Sequence, residues 1–482
     1  MLYKNISEEE EIMKRIPYIQ CVVVISVLSI SLIINIFVLN NPLYYGFIFG
    51  MAAAFIVGII NGYDAKALIS YAYSGFKKSA KVLIMLSMIA MLIGLWKAGG
   101  IISAMLYYSF GLINRKFFLV SSFIISSIIG MIMGTSSGTV STVGIVLIGL
   151  GSAMNIPLPV VAGTVVSAAF LADRSAPISS VFNLVATMTE TDPHENFRYF
   201  MRTLLVGVVL SCIFYYFLGL RYTDMSYASV YFEDYKILLN QYVNITPWLL
   251  IPPIILFVLY AFKLASVYIM GISVFIGAVF SILYQKISVI EAIQAAIMGY
   301  HPDMPSEYSM VLAGGGLISF KNMLLVLIFA TSLNGIFEGI RIVETLLEPI
   351  LRRIRTQRGL MLFTIGFSII SALFMCNQVI SIIIPTGLLL NRYKDKNIDR
   401  KIFARLLSDS GVMACSIIPW NVAALTPAAI MGVDVVSFMP YAFLSYVMPI
   451  IAVLNVMFFS NLNLREKRGR ISEDTCCEVK SK

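Results

Sequence analysis

From Phe117 to Ala172 the chain carries no Asp, Glu, Lys or Arg, and the same holds from Gly359 to Asn391 and from Val435 to Leu464. One bilayer crossing takes about 20 apolar residues, so several of these stretches hold more than one crossing. The 482 residues are 59% hydrophobic and only 13% charged, about half the charged share of a soluble protein. These figures place the chain among all-α polytopic membrane proteins. The net charge of +9 does not point to nucleic acid, because the basic residues sit in short loops between apolar segments. That is the pattern of cytoplasmic loops under the positive-inside rule. Six scattered cysteines and two histidines suggest no disulfide framework, zinc site or haem attachment, and no cofactor is expected.

The order of segments predicts a cytoplasmic leader at 1–17, a first transmembrane repeat at 18–220 and an inter-repeat loop at 221–246. A second repeat at 247–464 and a polar, disordered cytoplasmic tail at 465–482 follow. The first apolar segment, Tyr18 to Leu39, comes after a charged leader (EEEEIMKR) and is too long for a signal-peptide core. It reads as a retained helix. Lys66, Lys77, Lys78 and Lys81 mark an amphipathic, lysine-rich loop at 66–81, placed in the cytoplasm, before a crossing from Val82 to Leu95. Ile101 to Ile113 is short for a crossing and suits half of a re-entrant hairpin. The run from Gly359 to Leu390 reads equally as one long broken helix or as a hairpin.

Within the longest uncharged stretch lies GTSSGTVSTVG, beginning at Gly134, followed by Asp173-Arg174, Pro177 and Asn183. Glycines weaken a helix there, and the hydroxyls of Thr135, Ser136 and Thr139 offer oxygen ligands of the kind small hard cations take. The same small residues also suit helix-on-helix packing. Asp173 lies about 24 Å along a helix from Pro157, so it is either an interfacial charge or, with Pro177 breaking the chain, part of a discontinuous helix. Ser175 follows the charged pair directly.

The second half repeats the first. INRKFFLVSSFIISSIIGMIMGTSSGTVST faces RIRTQRGLMLFTIGFSIISALFMCNQVISI, which pairs Gly134 with Cys376 and sets the hydroxyl run against Asn377-Gln378. ADRSAPISSVFN faces SDSGVMACSIIPWN, which pairs Asp173 with Asp409 and Asn183 with Asn421; Trp96 meets Phe337. Loop charges invert between the copies. The lysines of 66–81 correspond to Asp303 and Glu307, and Asn114 to Lys116 corresponds to the more basic Arg352 to Arg358. This predicts two inverted-topology repeats with broken helices and re-entrant hairpins, a transporter architecture with its site at the midplane. Asn377, Gln378, Asp409, Ser410 and Asn421 join the candidate cation or substrate ligands, against plain readings as helix–helix amides and a loop charge. Lys97 reads as an anchor snorkelling to headgroups, and Glu338 stays open between anchor and coupling residue. Burial favours a protonated carboxyl and a bound cation favours the carboxylate, so proton and cation compete for one group. Asp173 and Asp409 are the candidates for it.

LIGLWKAGG, GTSSGTVSTVGIVLIGLGSAMNIPLPVVAG, ADRSAPIS–N, MCNQVISIIIP and DSGVMACSIIPWN together resemble the NhaC family of sodium/proton antiporters, in the ion transporter superfamily, from about Gly75 to Asp434. The resemblance implies a multi-pass carrier of the cytoplasmic membrane with about a dozen helices, re-entrant hairpins and exchange of Na+ for H+. It also implies an oligomer, a homodimer being the candidate assembly. By position it points to Thr135, Ser136, Thr139, Asp173, Pro177, Asn183, Asn377, Gln378, Asp409, Ser410 and Asn421. Three positions depart from the family's pattern: Arg174 stands for a usual Lys, Ser180 for an Asp, and Gly314 for an Arg. Because the family also includes a malate/lactate exchanger and amino-acid carriers, the alternative is a sodium- or proton-coupled organic-anion or amino-acid transporter. No HExxH, clustered histidines or Walker A loop suggests an enzyme or a primary pump.

Overall fold

The computed structural model describes residues 16–39, 41–109, 115–154, 156–222, 243–262, 264, 266–302 and 313–459. Most of the leader and of the inter-repeat loop, Asp303, Glu307 and the polar tail therefore lie outside the described residues. The first half holds α1 (Tyr18–Phe37), α2 (Tyr44–Ile60), α3 (Ala65–Ala98), α4 (Ile101–Ser109), α5 (Phe118–Met133) and α6 (Ser136–Thr139). A π turn, Val140–Gly144, leads to α7 (Ile145–Ala153), and then come α8 (Leu158–Ser175), α9 (Ser180–Met188) and α10 (Pro193–Leu220). The second half holds α11 (Ile251–Ala261), α12 (Ser266–Gln285), α13 (Val289–Ile297), α14 (Lys321–Gly339), α15 (Ile342–Arg353), α16 (Gln357–Met375) and α17 (Gln378–Asp395). It closes with α18 (Arg400–Leu407), a π turn at Ser408–Val412, α19 (Val422–Met431), α20 (Val435–Phe438) and α21 (Phe443–Leu454). Among the described residues, seven helices are long and apolar enough to cross a membrane, or eight if α19 and the Val435–Tyr441 segment, bent by 92°, form one span. The chain is an integral membrane protein.

The two halves are not separate bodies. One bundle gathers α1 to α3 with α12 to α14; the other gathers α5 and α8 to α10 with α16 to α18 and α21, and α19 packs on α3 and α14 between them. The lysine-rich stretch 66–81 is not a loop. It is the N-terminal half of α3, one unbroken helix about 51 Å long, because no proline falls within it and its remaining residues are mostly helix formers. The corresponding second-half region is divided into α13 and α14. Gly75 and Gly335 let α3 and α14 cross at backbone contact: a Cβ on Gly75 would lie 2.1 Å from the Thr331 carbonyl oxygen, and one on Gly335 2.1 Å from that of Tyr71. Lys78 and Glu338 bridge the same two helices at 2.5 Å.

Chain direction fixes two faces. Glu190 and Glu195, beside the start of α10, pair with Lys394, Arg400 and Lys401, and the Gln357 amide donates to the Lys396 carbonyl at 2.7 Å. The start of α16 and the loop between α17 and α18 thus share one basic face. The Phe117 ring stacks on Tyr216 near the far end of α10, 6.0 Å between centroids, so α5 begins at the opposite face. α5 and α16 therefore enter from opposite sides. α16 and α17 are a hairpin, their open ends tied by the Thr364 and Tyr393 hydroxyls at 2.7 Å. α5 and α6 double back only at their tip, after which the chain leaves for α4 and α8.

Gly75→Val is expected to lower the unfolding temperature, forced repacking costing about 1–3 kcal/mol. Gly366→Ala, where a new Cβ meets nothing within 4 Å, is expected to leave it unchanged. Thermal ramps of the full-length protein in detergent, read by size exclusion, check both.

Candidate cation site

Four helix starts converge in the middle of the second bundle, and their geometry follows from local sequence. α5 ends on Gly134 in the left-handed region (φ 68°, ψ 18°), and α16 ends on Cys376 in the same conformation (φ 52°, ψ 5°). An extended residue follows each, Thr135 (φ −143°, ψ 133°) and Asn377 (φ −141°, ψ 126°). Each caps the next helix: Thr135 Oγ1 accepts from Gly138 N at 3.1 Å, and Asn377 Oδ1 from Val379 N at 2.9 Å. The sequence pairing of Gly134 with Cys376 thus marks two breaks of one shape.

α8 is buried from Val160 to Ser175. Pro177 lies in the break after it, and Ser179 caps α9, accepting from Val181 N and Phe182 N. Asp173 consequently sits about 24 Å of helix from one face, with α9, about 14 Å long, still between it and the other. It is a buried carboxylate with helix on either side of it. Ser136 donates to it twice, from the backbone N to Oδ1 at 3.0 Å and from Oγ to Oδ2 at 2.7 Å. The Gln378 amide faces the same carboxylate, so the tips of both broken helices meet at Asp173.

Arg174 turns to another neighbour. Its Nε donates to Asp409 Oδ1 at 2.6 Å, with the second guanidinium contact at 2.5 Å. It also donates to the Ser175 and Thr203 hydroxyls at 2.7 and 2.9 Å and lies 5.4 Å from the Phe200 ring centroid. Arg174 and Asp409 are both fully buried. Arg405 Nε stands 3.9 Å from Asp409 Oδ2, so that carboxylate lies between two guanidinium groups.

The sequence profile of the Na+/H+ antiporter family matches residues 5–220 and 171–458. The chain belongs to the Na+/H+ antiporter family. A malate-2H(+)/Na(+)-lactate antiporter of Bacillus subtilis is 26% identical over 90% of this chain and 93% of its own length. The Na(+)/H(+) antiporter NhaC of the same organism is 28% identical over 82% and 87%. An arginine/ornithine antiporter of Halobacterium salinarum, ArcD, is 28% identical over 77% of each chain.

In this family member the candidates divide by place. Ser136, Asp173 and Gln378 come together, with Thr135 and Asn377 at the same tips. Thr139 bonds back to the Thr135 carbonyl at 2.8 Å, and Ser410 to that of Leu406 at 2.5 Å, each serving its own helix. Ser175 accepts from Arg174. Asn183 holds the break between α8 and α9, donating to the Pro177 and Ser179 carbonyls at 2.7 Å each. Asn421, its sequence partner, instead caps α19 by accepting from Ala423 N at 3.0 Å, and donates to the Ala372 carbonyl at 2.9 Å. Sequence reasoning missed Cys415, which lies beside Ser381 (3.5 Å) and Asn421 within electrostatic reach of Asp173. It also missed Thr203 and Phe200. Only Arg405 carried a signal, its (i, i+4) spacing from Asp409.

Asp409→Leu is expected to cost about 3–5 kcal/mol by leaving the buried Arg174 unpaired, Arg174→Met less because Arg405 still faces Asp409, and the double variant to recover most of the Asp409→Leu loss. A thermal-stability double-mutant cycle measures it.

Proposed function

We propose that this chain is a secondary active antiporter that exchanges Na+ for H+ at Asp173. The carrying observation is the difference between the two buried carboxylates. Asp409 lies against Arg174 and Arg405, so two guanidinium groups already supply its counter-charge. The groups that reach Asp173 are neutral donors, Ser136 and Gln378. Asp173 is the carboxylate whose charge changes at little cost: a proton neutralises it, or a Na+ ion held with the Ser136 hydroxyl and the Gln378 carbonyl oxygen does. Occupancy by one excludes the other, which is the coupling rule of an antiporter. The broken helices entering from opposite faces support alternating access at a midplane site.

Asp409 and Ser410 act in this scheme as positioning residues. The Arg174 guanidinium is engaged by Asp409, Ser175 and Thr203, so it offers no free cation to an organic anion at the centre, which favours Na+ over the alternative passenger there. The chain has the role of a carrier, not of an enzyme. By the positive-inside rule the face bearing Arg355, Lys394, Lys396 and Arg400 is cytoplasmic, with the leader and tail on that side.

In acidified inverted vesicles, Na+ is expected to drive proton efflux reported by a pH dye, and Asp173→Asn to abolish it. Ser136→Ala is expected to raise the half-saturating Na+ concentration by roughly 10–100-fold, the usual cost of removing a partner of a ligating carboxylate. Full exchange by Asp173→Asn removes that residue from the mechanism. Silence toward Na+, Li+ and K+, with carboxylate uptake instead, overturns the exchange itself.

A further inference from the structure

α10 and α18 pack against each other along two matched stripes. Glu195, Tyr199 and Thr203 recur at four-residue spacing on α10; Lys401, Arg405 and Asp409 do the same on α18 and the π turn after it. Together they form three rungs that run inward from the basic face. Lys401 meets Glu195 at 2.5 Å, both side chains still reaching solvent. Next, the Arg405 guanidinium lies 4.8 Å from the Tyr199 ring centroid. Last, Arg174 joins the Thr203 hydroxyl, at 2.9 Å, to Asp409, at 2.6 Å. Burial deepens along α18, from Lys401 to Arg405, 7% exposed, and then to Asp409, fully buried. The outer rung borders a cavity of about 640 Å³ walled by Asp399, Arg400 and Lys401.

The middle rung is polar, buried and short of partners. Among the described residues, none offers a hydrogen bond to Tyr199 Oη, Arg405 Nε, Ser408 Oγ, Asp409 Oδ2 or Asn196 Oδ1. Arg405 Nε stands 3.9 Å from Asp409 Oδ2, near enough to attract and too far to bond. Residues three apart share a helix face, which puts Ser408 beside Arg405 and Asn196 beside Tyr199. The Tyr199 hydroxyl is within electrostatic reach of Asp399 on the cavity wall and of Asp409 at the inner end. The π turn Ser408–Val412 adds a helix distortion frequent at functional sites. Left dry, each of these atoms costs its full desolvation. Tyr199, Arg405 and Ser408 have a proton to donate, whereas Asp409 Oδ2 and Asn196 Oδ1 accept. A cation here would meet Arg405 and Arg174, and an anion would meet Asp409. Water both gives and accepts hydrogen bonds and satisfies the mixed set.

We propose that this seam binds a chain of ordered water molecules that links the basic-face cavity to the free oxygen of Asp409. Arg405 is then a positioning residue that acts on Asp409 through water. The guanidinium lining the branch also excludes Na+ from it. The water stops at the inner rung, where Arg174 closes the seam with Thr203 and Asp409. Asp173 turns elsewhere, its oxygens taken by Ser136. The seam is thus a blind branch that hydrates the buried ion pair and not the carboxylate proposed for exchange. It stands whether or not Na+ is exchanged at Asp173.

X-ray hydroxyl-radical footprinting of the full-length protein in neutral-lipid nanodiscs, read by mass spectrometry, tests it, because the radicals form from water beside each side chain. Tyr199 is expected to be oxidised early. Tyr215 and Tyr393, whose hydroxyls are bonded inside the protein, are expected to stay unmodified. Tyr199 is itself partly exposed, so the deciding comparison is with Asn196→Leu and Ser408→Val. Each is expected to stay monodisperse and to remove most of the Tyr199 oxidation. Tyr199→Phe supplies a second sign. It is expected to lower the unfolding temperature, since a hydrated hydroxyl loses its bonds; in a dry seam the same change removes an unsatisfied group and raises it. Tyr199 oxidation no faster than that of Tyr215, oxidation unchanged in the folded variants, or a raised unfolding temperature in Tyr199→Phe overturns the proposal. None of these readouts involves transport, so a protein without Na+-driven proton movement removes the exchange reading alone.

Discussion

Backbone polarity at membrane depth is the constraint on which the second bundle depends. A helix that stops in hydrocarbon exposes N–H and C=O groups that neither water nor lipid satisfies. Four helices start inside the second bundle, and each carries its own cap, Thr135, Ser179, Asn377 or Asn421. The carbonyls freed at the end of α16 are taken in turn. Asn421 binds that of Ala372, the Trp420 indole that of Leu373, Asn334 that of Met375 and Val422 N that of Cys376. A polar centre in an apolar chain is thus built by the same side chains that make the breaks tolerable.

Asp173 and Arg174 show how that centre is oriented. Consecutive residues on a helix point about 100° apart, so one turns to the tip of α6 and the next to the π turn of α18. Arg174 is fixed by Asp409, Ser175, Thr203 and the Phe200 ring. Rotation of α8 that would move Asp173 must break these contacts. A buried ion pair adds little net stability over apolar packing but resists being half-broken. Its effect here is to hold α8 and the π turn after α18 in register beside Asp173, the carboxylate proposed to exchange its partner.

The membrane class, the two breaks and the candidate carboxylates were legible in the sequence because lipid makes charge deserts and their interruptions informative. Gly134 and Cys376 share no chemistry, yet the flanking apolar pattern aligned them, and both adopt the left-handed conformation. The pairing of Arg174 with Asp409 was not legible: it joins positions that only tertiary packing brings together, and each alone reads as a ligand. Asn183 and Asn421 align in sequence but serve different bonds, since one lies a turn inside its helix and the other at its start. α3 was misread because lysines on a helix whose length exceeds the bilayer core look like a loop.

The basic face is tied together by exposed ion pairs. On the basic face, Glu190 pairs with Lys394 and Arg400, and Glu195 with Lys401, joining the loop after α9 to the loop before α18. The hydrogen bond from Lys394, reinforced by Arg400, holds the Glu190 carboxyl below its ordinary range, so the closure stays charged as the solution turns mildly acidic. Such exposed pairs contribute little stability. They also lie where movement matters. α9 and α18 are the half-helices that lead from this face to Asp173 and Asp409, so parting the two loops separates the elements covering the site from that side. A cavity of about 640 Å³ lies among these pairs, lined by Glu190, Lys394, Asp399, Arg400 and Lys401, and one of about 550 Å³ opens at the other face, where α7 and α19 run back toward Ser136 and Asn421. Strong bonds at the centre and weak, exposed ones on the basic face fit the exchange proposed at Asp173.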